Sequence, residues 1–413
     1  MGKIAPMSRD LRLLAGAAGL SALGDFMAIF PLIIHVQQST GSAFAVSALV
    51  FALWGPVVLA AGLAGAIVDR FENRRVLIVV SFAQAAVVAG MVAGADELWA
   101  LLPLMALLGF GVAVSQPAEF SLVPAAAERS GDEASGRGSG GDVARANGLM
   151  ETVRSLGFTA GPLVGGALGA AGLLRLALAL NALSFVIVGV TALVLRARRQ
   201  PARAAEERSR ARDGFAFLFR ERDLAIALGG AVAALAVFSI SVTAEPFFVT
   251  DVLHAGPLGY GVLLTSWTLG MAAGSGALAH RVPRGAVAVA ALVAVVLQGA
   301  GIAGAALSPV LWMALIGFVF GGVAHGVKNV LLRTLIHERV PDALRGRAFA
   351  AYNGARNGAE LGALALGGLV VGAFGARAGL LIAGIGPVLI GLMCLFLLTT
   401  TLERRVINAR VES

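Results

Sequence analysis

The chain has 413 residues, of which 58% are hydrophobic and 14% are charged, and its formal net charge is +8. Soluble domains contain about 25% charged residues, so the composition excludes an ordinary soluble globular protein and indicates a chain that folds in lipid. Backbone polar groups in hydrocarbon must bond internally, which permits only helices or a closed barrel. The apolar runs here are long and do not alternate in polarity, so helices are favoured.

Twelve apolar runs are long enough to cross a membrane. In chain order they predict spans at residues 11–36, 43–68, 75–94, 98–118, 147–171, 174–195, 223–249, 258–279, 285–307, 309–332, 348–373 and 378–401. The predicted fold class is therefore an all-α membrane protein with twelve transmembrane helices. The single cysteine, Cys394, lies in the last run and excludes an intrachain disulfide.

Basic residues fall almost entirely in alternate loops. Only Arg175 and Arg377, of 32 Lys and Arg residues, lie in loops on the opposite side. Arg-rich loops stay in the cytoplasm, so both termini are predicted to be cytoplasmic in a multi-pass protein of a bacterial-type inner membrane. This placement also accounts for the positive charge, so we expect membrane lipids as partners and no nucleic acid.

The longest polar stretch divides the spans six and six. It predicts an N-terminal six-helix bundle at 1–195, a cytoplasmic connector at 196–222 and a C-terminal six-helix bundle at 223–413. Within the connector, aromatic residues beside Arg220 and Arg222 predict a short interfacial helix. A second polar insert, residues 128–142, is rich in Gly and Ser and predicts a flexible loop.

The two halves repeat in sequence at an offset of 202 residues. Matching pairs include Arg145 with Arg347, Arg154 with Arg356, Arg175 with Arg377, and Gly165–Gly166 with Gly367–Gly368. Six spans in each half give both halves the same orientation, so two pseudo-symmetric bundles in parallel are predicted. Transporters built from parallel repeats bind substrate near the membrane midplane, between the repeats.

Residues 65–75 read GAIVDRFENRR and follow the second span. This segment resembles the loop motif of the major facilitator superfamily, although Glu72 and Asn73 replace an inner Gly and the first basic residue. The resemblance implies a cytoplasmic gate formed by Gly65, Asp69, Arg70, Arg74 and Arg75. Gly65 is expected to allow close helix packing, and Asp69 to pair with an Arg or a helix N-terminus. The basic residues could instead serve only as topology determinants.

The fifth span contains small residues and a proline at wide, regular spacing, namely Gly148, Gly157, Gly161, Pro162, Gly165 and Gly166. This pattern resembles the antiporter motif of proton-coupled drug exporters in the same superfamily. Small residues let helix backbones approach closely and Pro162 would bend the helix. Packing alone could also explain the pattern.

Further short motifs resemble the enterobactin-exporter and macrolide-efflux branch, namely Leu23-Gly24-Asp25, Gln116-Pro117-Ala118 and Arg345-Gly346-Arg347. The resemblance implies alternating access and exchange of protons for a hydrophobic or amphipathic small molecule, by a monomer without a cofactor. The fourth span lacks the Arg that many such exporters carry there. Rival cargoes are a siderophore, a lysolipid or a sugar, also by symport, and a non-transporting membrane sensor is a rival of another class.

Ionisable residues inside membrane spans cost several kcal/mol by most estimates, so each needs a partner or a function. Asp25 is the first candidate for proton coupling or for binding a cationic substrate, and a structural carboxylate is the alternative. Glu360 is the second candidate, with Lys328 and Arg356 as partners. An anionic cargo would instead favour Lys328, Arg154 and Arg356.

Other charged and aromatic residues have less specific interpretations. Glu151 and Arg154 are assigned to the inner gate, with Asp69 or Glu119 as partners. Glu245 is interpreted as interfacial, and His325 as polar packing. Aromatic residues such as Phe238 and Trp267 could stack on a substrate or form core. No P-loop, HExxH, CxxC or GxSxG motif occurs, so we expect neither an ATP-driven pump nor an enzyme.

Overall fold

The computed structural model describes residues 7–128, 140–198 and 211–411, and these residues form helices and contain no β-strand. Most of the predicted loop at 128–142 and the middle of the predicted connector at 196–222 lie outside the described residues. The chain divides into two compact units. Unit 1 comprises Met1–Thr40 and Ala48–Glu206, and unit 2 comprises Gly41–Ser47 and Glu207–Ser413.

The first half of the chain forms seven helices in the described residues. They are α1 Arg9–Thr40, α2 Ala43–Leu59, α3 Ala61–Arg70, α4 Asn73–Ala93, α5 Leu98–Glu128, α6 Gly140–Ala170 and α7 Leu174–Val194. Helices α2 and α3 are two parts of one span, bent by 52°. Large apolar residues from five helices, including Leu14, Leu77, Leu122 and Met150, form the main core of unit 1.

The second half forms eight α-helices in the described residues. They are α8 Ala211–Arg220, α9 Arg222–Phe238, α10 Ser241–Phe247, α11 Gly256–Ala273, α12 Val287–Leu307, α13 Leu311–Arg339, α14 Asp342–Phe374 and α15 Ala376–Val411. Helix α8 is the short helix predicted in the connector. A π-helical turn, Phe248–Val252, extends α10. The main core of unit 2 includes Leu224, Val295, Leu332 and Ile336.

Twelve helical spans account for the described membrane region, which confirms the predicted fold class. Ten spans are long and apolar enough to cross a membrane, and the bent pair α2 and α3 is an eleventh. Helix α6 is the twelfth, and it is less apolar because it carries six glycines between Gly148 and Gly169 as well as Glu151 and Arg154. Helices α6 and α14 begin several residues before their apolar runs, and α13 continues several residues after its run ends.

Candidate functional site

Helix α6 packs closely against α1 through the glycines of the antiporter-like motif. A Cβ atom at Gly161 would lie 2.5 Å from Phe26 Cβ, and one at Gly165 would lie 2.5 Å from the Met27 carbonyl oxygen. Gly157 approaches the backbone of Leu23 in the same way. These glycines therefore hold α6 against the segment of α1 that carries Asp25. Pro162 and Gly166 are also buried within the unbroken α6.

The close-packing interpretation is wrong for two glycines. A Cβ atom at Gly65 or at Gly148 would meet nothing within 4 Å among the described residues. Gly148 lies nearer the start of α6 than the three glycines that approach α1, and Gly65 lies in α3 beyond the 52° bend. Their backbones are therefore not in the contacts that their sequence motifs suggested.

Asp25 and Arg154 belong to one cluster of polar residues inside unit 1. Asp25 is partly buried, hydrogen-bonds to the Asn181 side chain of α7 and interacts electrostatically with Arg154 and Glu119. The Arg154 guanidinium forms an ion pair with Glu119, with 3.4 Å between Nη1 and Oε2. Four helices thus contribute to a cluster of two carboxyl groups and one guanidinium, with one more acidic than basic group.

The sequence left Asp69 and Glu119 as possible partners of Arg154, and the structure shows a contact with Glu119. Arg154 pairs with Glu119 of α5, which is 7% exposed, and lies over the Phe120 ring at 5.5 Å from its centroid. Asp69 and Glu151 are exposed. Arg154 is consequently a half-buried residue of unit 1 that joins α5 to α6.

The loop-motif residues make contacts within unit 1. Arg74 donates hydrogen bonds of 2.8 and 2.6 Å to the carbonyl oxygens of Ala192 and Leu193, at the end of α7. Glu72, a departure from the motif, pairs with Arg75 at 2.9 Å. The Arg70 guanidinium lies over the Phe71 ring. The motif therefore ties the start of α4 to the end of α7, because the uncapped carbonyls there attract a cation.

A second polar cluster lies inside unit 2. Lys328 of α13 donates a 2.7 Å hydrogen bond to Gln298 Oε1 of α12, and its Nζ lies 3.3 Å from His325 Nδ1. Lys328 and His325 are 4% and 7% exposed. His325 is thus part of a hydrogen-bonded network, as expected for polar packing.

Aromatic rings adjoin this polar cluster. Phe238 and Trp267 stack with 5.2 Å between ring centroids and 17° between ring planes. The Trp267 ring lies 5.3 Å from the His325 ring and 6.1 Å from Phe318. Phe238 and Trp267 are only half-buried, so the pair presents an aromatic surface next to a buried lysine.

Glu360 is paired with only one of its two predicted partners. Its Oε1 lies 3.7 Å from Arg356 Nη2, one turn earlier on α14. Lys328 interacts electrostatically with both residues but is hydrogen-bonded to Gln298 and His325 instead. Arg356 therefore holds the Glu360 carboxylate, and Lys328 interacts with it only at longer range.

The interfacial interpretation of Glu245 is wrong. Glu245 is 6% exposed in unit 2, where α10 packs against α14 and α15. Sequence reasoning also missed Asn181 and Gln298, which position Asp25 and Lys328. Their only signal was a lone amide within an apolar run.

Comparisons with known proteins agree with this architecture. The sequence profile described as Major Facilitator Superfamily matches residues 14–359 and 226–412. The chain is 29% identical over 401 residues to the "Multidrug efflux pump Tap" of Mycobacterium tuberculosis and of Mycobacterium bovis, which covers 91% of this chain and 90% of each relative.

Solved structures of transporters share the fold. A variant of the nucleoside transporter NupG superposes with a TM-score of 0.73 at 14% identity, over 94% of this chain and 99% of that one. A POT family transporter in complex with 5-aminolevulinic acid also gives 0.73, at 11% identity over 95% and 96% of the two chains. A bacterial homologue of the lysosomal transporter Spinster gives 0.67, at 14% identity over 96% of both chains. The twelve helical spans, the polar clusters inside the helical units and the profile match together show that this chain belongs to the Major Facilitator Superfamily and is a multi-pass membrane transporter.

Proposed function

We propose that this transporter exports hydrophobic or amphipathic small molecules, including drugs, in exchange for protons by alternating access. It acts in a bacterial inner membrane with both termini in the cytoplasm, where the Arg-rich loops favour them. Its 29% identity to a multidrug efflux pump supports export and drug resistance. The fold of its structural relatives does not select among cargoes.

The observation that carries the proposal is the pairing within the unit 1 cluster. Arg154 is paired with Glu119, whereas Asp25 has a neutral hydrogen-bond partner, Asn181, and only a longer-range interaction with Arg154. Asp25 is also partly exposed. It is therefore the carboxylate in this cluster that can exchange a proton with water without first breaking an ion pair.

Arg154 gives this exchange a structural consequence. When Asp25 is protonated, Arg154 interacts fully with Glu119. When Asp25 loses its proton, its carboxylate competes for the same guanidinium, because opposite charges attract strongly away from bulk water. A change in the pairing of Arg154 therefore changes the attraction between α1, α5 and α6, which carry Asp25, Glu119 and Arg154. This coupling does not need the Arg that many related exporters carry in the fourth span.

The remaining assigned residues have supporting roles in the proposal. Gly157, Gly161 and Gly165 keep α6 against α1, so movement of one helix is transmitted to the other. Asp69, Arg70, Arg74 and Arg75, with Glu151, act at the cytoplasmic gate. Glu360 with Arg356 stands as a second candidate for coupling.

The test uses the purified protein in liposomes that contain a pH-sensitive dye, with an imposed pH gradient and a panel of candidate compounds. We expect wild-type protein to move protons when a substrate is added, and Asp25→Asn to abolish this flux at unchanged protein level. Asp96→Asn is the matched control, since Asp96 is an exposed aspartate paired with Arg175 at 2.7 Å, and it should transport normally. Unchanged flux in Asp25→Asn would remove Asp25 from the mechanism.

A further inference from the structure

The balance of charged side chains inside unit 2 indicates which charge a ligand bound there would carry. Lys328 and Arg356 supply two positive charges near a single carboxylate, Glu360, which Arg356 holds at 3.7 Å. The Lys328 ammonium has only neutral groups, Gln298 and His325, as hydrogen-bond partners among the described residues. A cation away from water needs a compensating charge, so this region is suited to receive an anion.

The hydrogen-bonding capacity of Lys328 agrees with an anionic ligand. An ammonium group has three N–H donors. Gln298 Oε1 accepts one at 2.7 Å. His325 Nδ1 lies 3.3 Å from the ammonium and 3.2 Å from the same Gln298 oxygen, so it accepts a second N–H when its proton is on Nε2 and donates to Gln298 when its proton is on Nδ1. The third N–H can meet an acceptor on a ligand. A carboxylate there would form a charge-assisted hydrogen bond, which is stronger than a neutral one.

The Phe238–Trp267 pair indicates the chemistry of the uncharged part of the ligand. Phe238 and Trp267 are stacked nearly parallel and half-buried, and Trp267 touches the His325 ring that adjoins Lys328. Flat ring systems stack favourably on such a surface. A flat aromatic group could therefore lie on this pair while a negative group attached to it approaches Lys328.

We propose that Lys328, with the Phe238–Trp267 pair, forms a binding site for aromatic anions, in which a carboxylate or similar singly charged group meets the ammonium and the ring system stacks on Trp267. This inference rests on the proposed function, because it names the chemical class of the cargo. It makes Lys328 a specificity-determining residue rather than a partner of Glu360.

The test compares three naphthalene compounds of nearly equal shape: naphthoate, which is anionic, naphthamide, which is neutral, and naphthylmethylammonium, which is cationic. Binding to the full-length purified protein is measured by equilibrium dialysis without a pH gradient. We expect naphthoate to bind about tenfold more tightly than naphthamide, the scale of one charge-assisted hydrogen bond. Equal binding of the two, absence of saturable naphthoate binding or preference for the cation would overturn the proposal.

Variants locate the site. Lys328→Gln should reduce naphthoate binding to the level of naphthamide and leave naphthamide binding unchanged, and Lys328→Arg should retain the preference for the anion. Arg333→Gln removes an equal charge from an exposed position on the same helix and should change neither affinity. Trp267→Leu should weaken naphthoate and naphthamide by the same factor. Retention of the anion preference in Lys328→Gln would refute the assignment.

The outcome is separable from that of the proposed function. If naphthoate shows no preference while the liposomes still give Asp25-dependent proton flux with neutral or cationic compounds, then only the cargo class is wrong. If proton flux fails with every compound while naphthoate still binds through Lys328, then the binding site stands and the coupling does not.

Discussion

The ion pair between Arg154 and Glu119 predicts a specific order of stability among variants. Arg154→Gln leaves the Glu119 carboxylate buried without its cation, which costs about 2 kcal/mol once the partial exposure of Arg154 is considered. The double variant Glu119→Gln/Arg154→Gln removes both charges, so it should unfold at a higher temperature than Arg154→Gln alone. The measurement is the temperature at which the detergent-solubilised protein loses its monodisperse elution peak. A double variant that unfolds at the same temperature as Arg154→Gln, or below it, would contradict this prediction.

At the scale of residues, sequence reasoning finds charges more readily than their partners. Asp25, Lys328, Arg154 and Glu360 stand out because ionisable residues are rare in apolar spans. Neutral amides such as Asn181 do not stand out, because their roles depend on which helix face meets which neighbour. The choice of Glu119 over Asp69 as the partner of Arg154 likewise needs the packing of α5 on α6.

The glycine contacts between α6 and α1 predict a contrast between two small substitutions. In Gly165→Ala the new methyl group would lie 2.5 Å from the Met27 carbonyl oxygen, whereas in Gly148→Ala it would enter open space. Backbone atoms cannot move aside as a flexible side chain can, so we expect Gly165→Ala to cost about 1–3 kcal/mol and to reduce transport. Gly148→Ala should be neutral. Thermal stability and liposome flux check both, and equal behaviour of the two variants would contradict the packing.

At the scale of helices, apolar run length was sufficient to predict twelve spans, because lipid requires a helix to satisfy its own backbone. Run length could not predict where a span bends, as it does between α2 and α3. It also could not predict which polar residue of a span is buried, as Glu245 is in unit 2. The extensions of α13 and α14 were missed because polar helical turns carry no hydropathy signal.

The predicted membrane orientation can be tested on the whole protein. Cys394 is the single cysteine, so a Cys394→Ala background allows one cysteine to be introduced at a time. Leu173→Cys, between α6 and α7, should react with an impermeant maleimide added to intact cells. Ala202→Cys, in the predicted connector, should react only after permeabilisation, because Arg-rich loops remain inside. Labelling of Ala202→Cys in intact cells would reverse the orientation and the assigned gate.

At the scale of the molecule, the sequence repeat and the contacts within each unit can be compared. Arg154 and Arg356 are equivalent under the offset of 202 residues, and each forms an ion pair with a glutamate. The repeat predicted that equivalence but not the opposite balance of charge around it. That balance depends on residues outside the repeat, namely Asp25 and Glu119 in unit 1 and Lys328 in unit 2.

The two equivalent arginines differ in what their pairs connect. Arg154 of α6 forms its ion pair with a residue of α5, so this pair links two neighbouring helices. Arg356 forms its ion pair with a residue one turn later on the same helix, so this pair stabilises α14 alone. Separating α5 from α6 must therefore break this ion pair between Arg154 and Glu119, whereas the Arg356–Glu360 pair can stay closed when α14 moves relative to α13. The contacts that such a movement must break in unit 2 are different ones: the hydrogen bond from Arg345 of α14 to the His337 carbonyl oxygen of α13, and the longer-range attraction between Lys328 and Glu360.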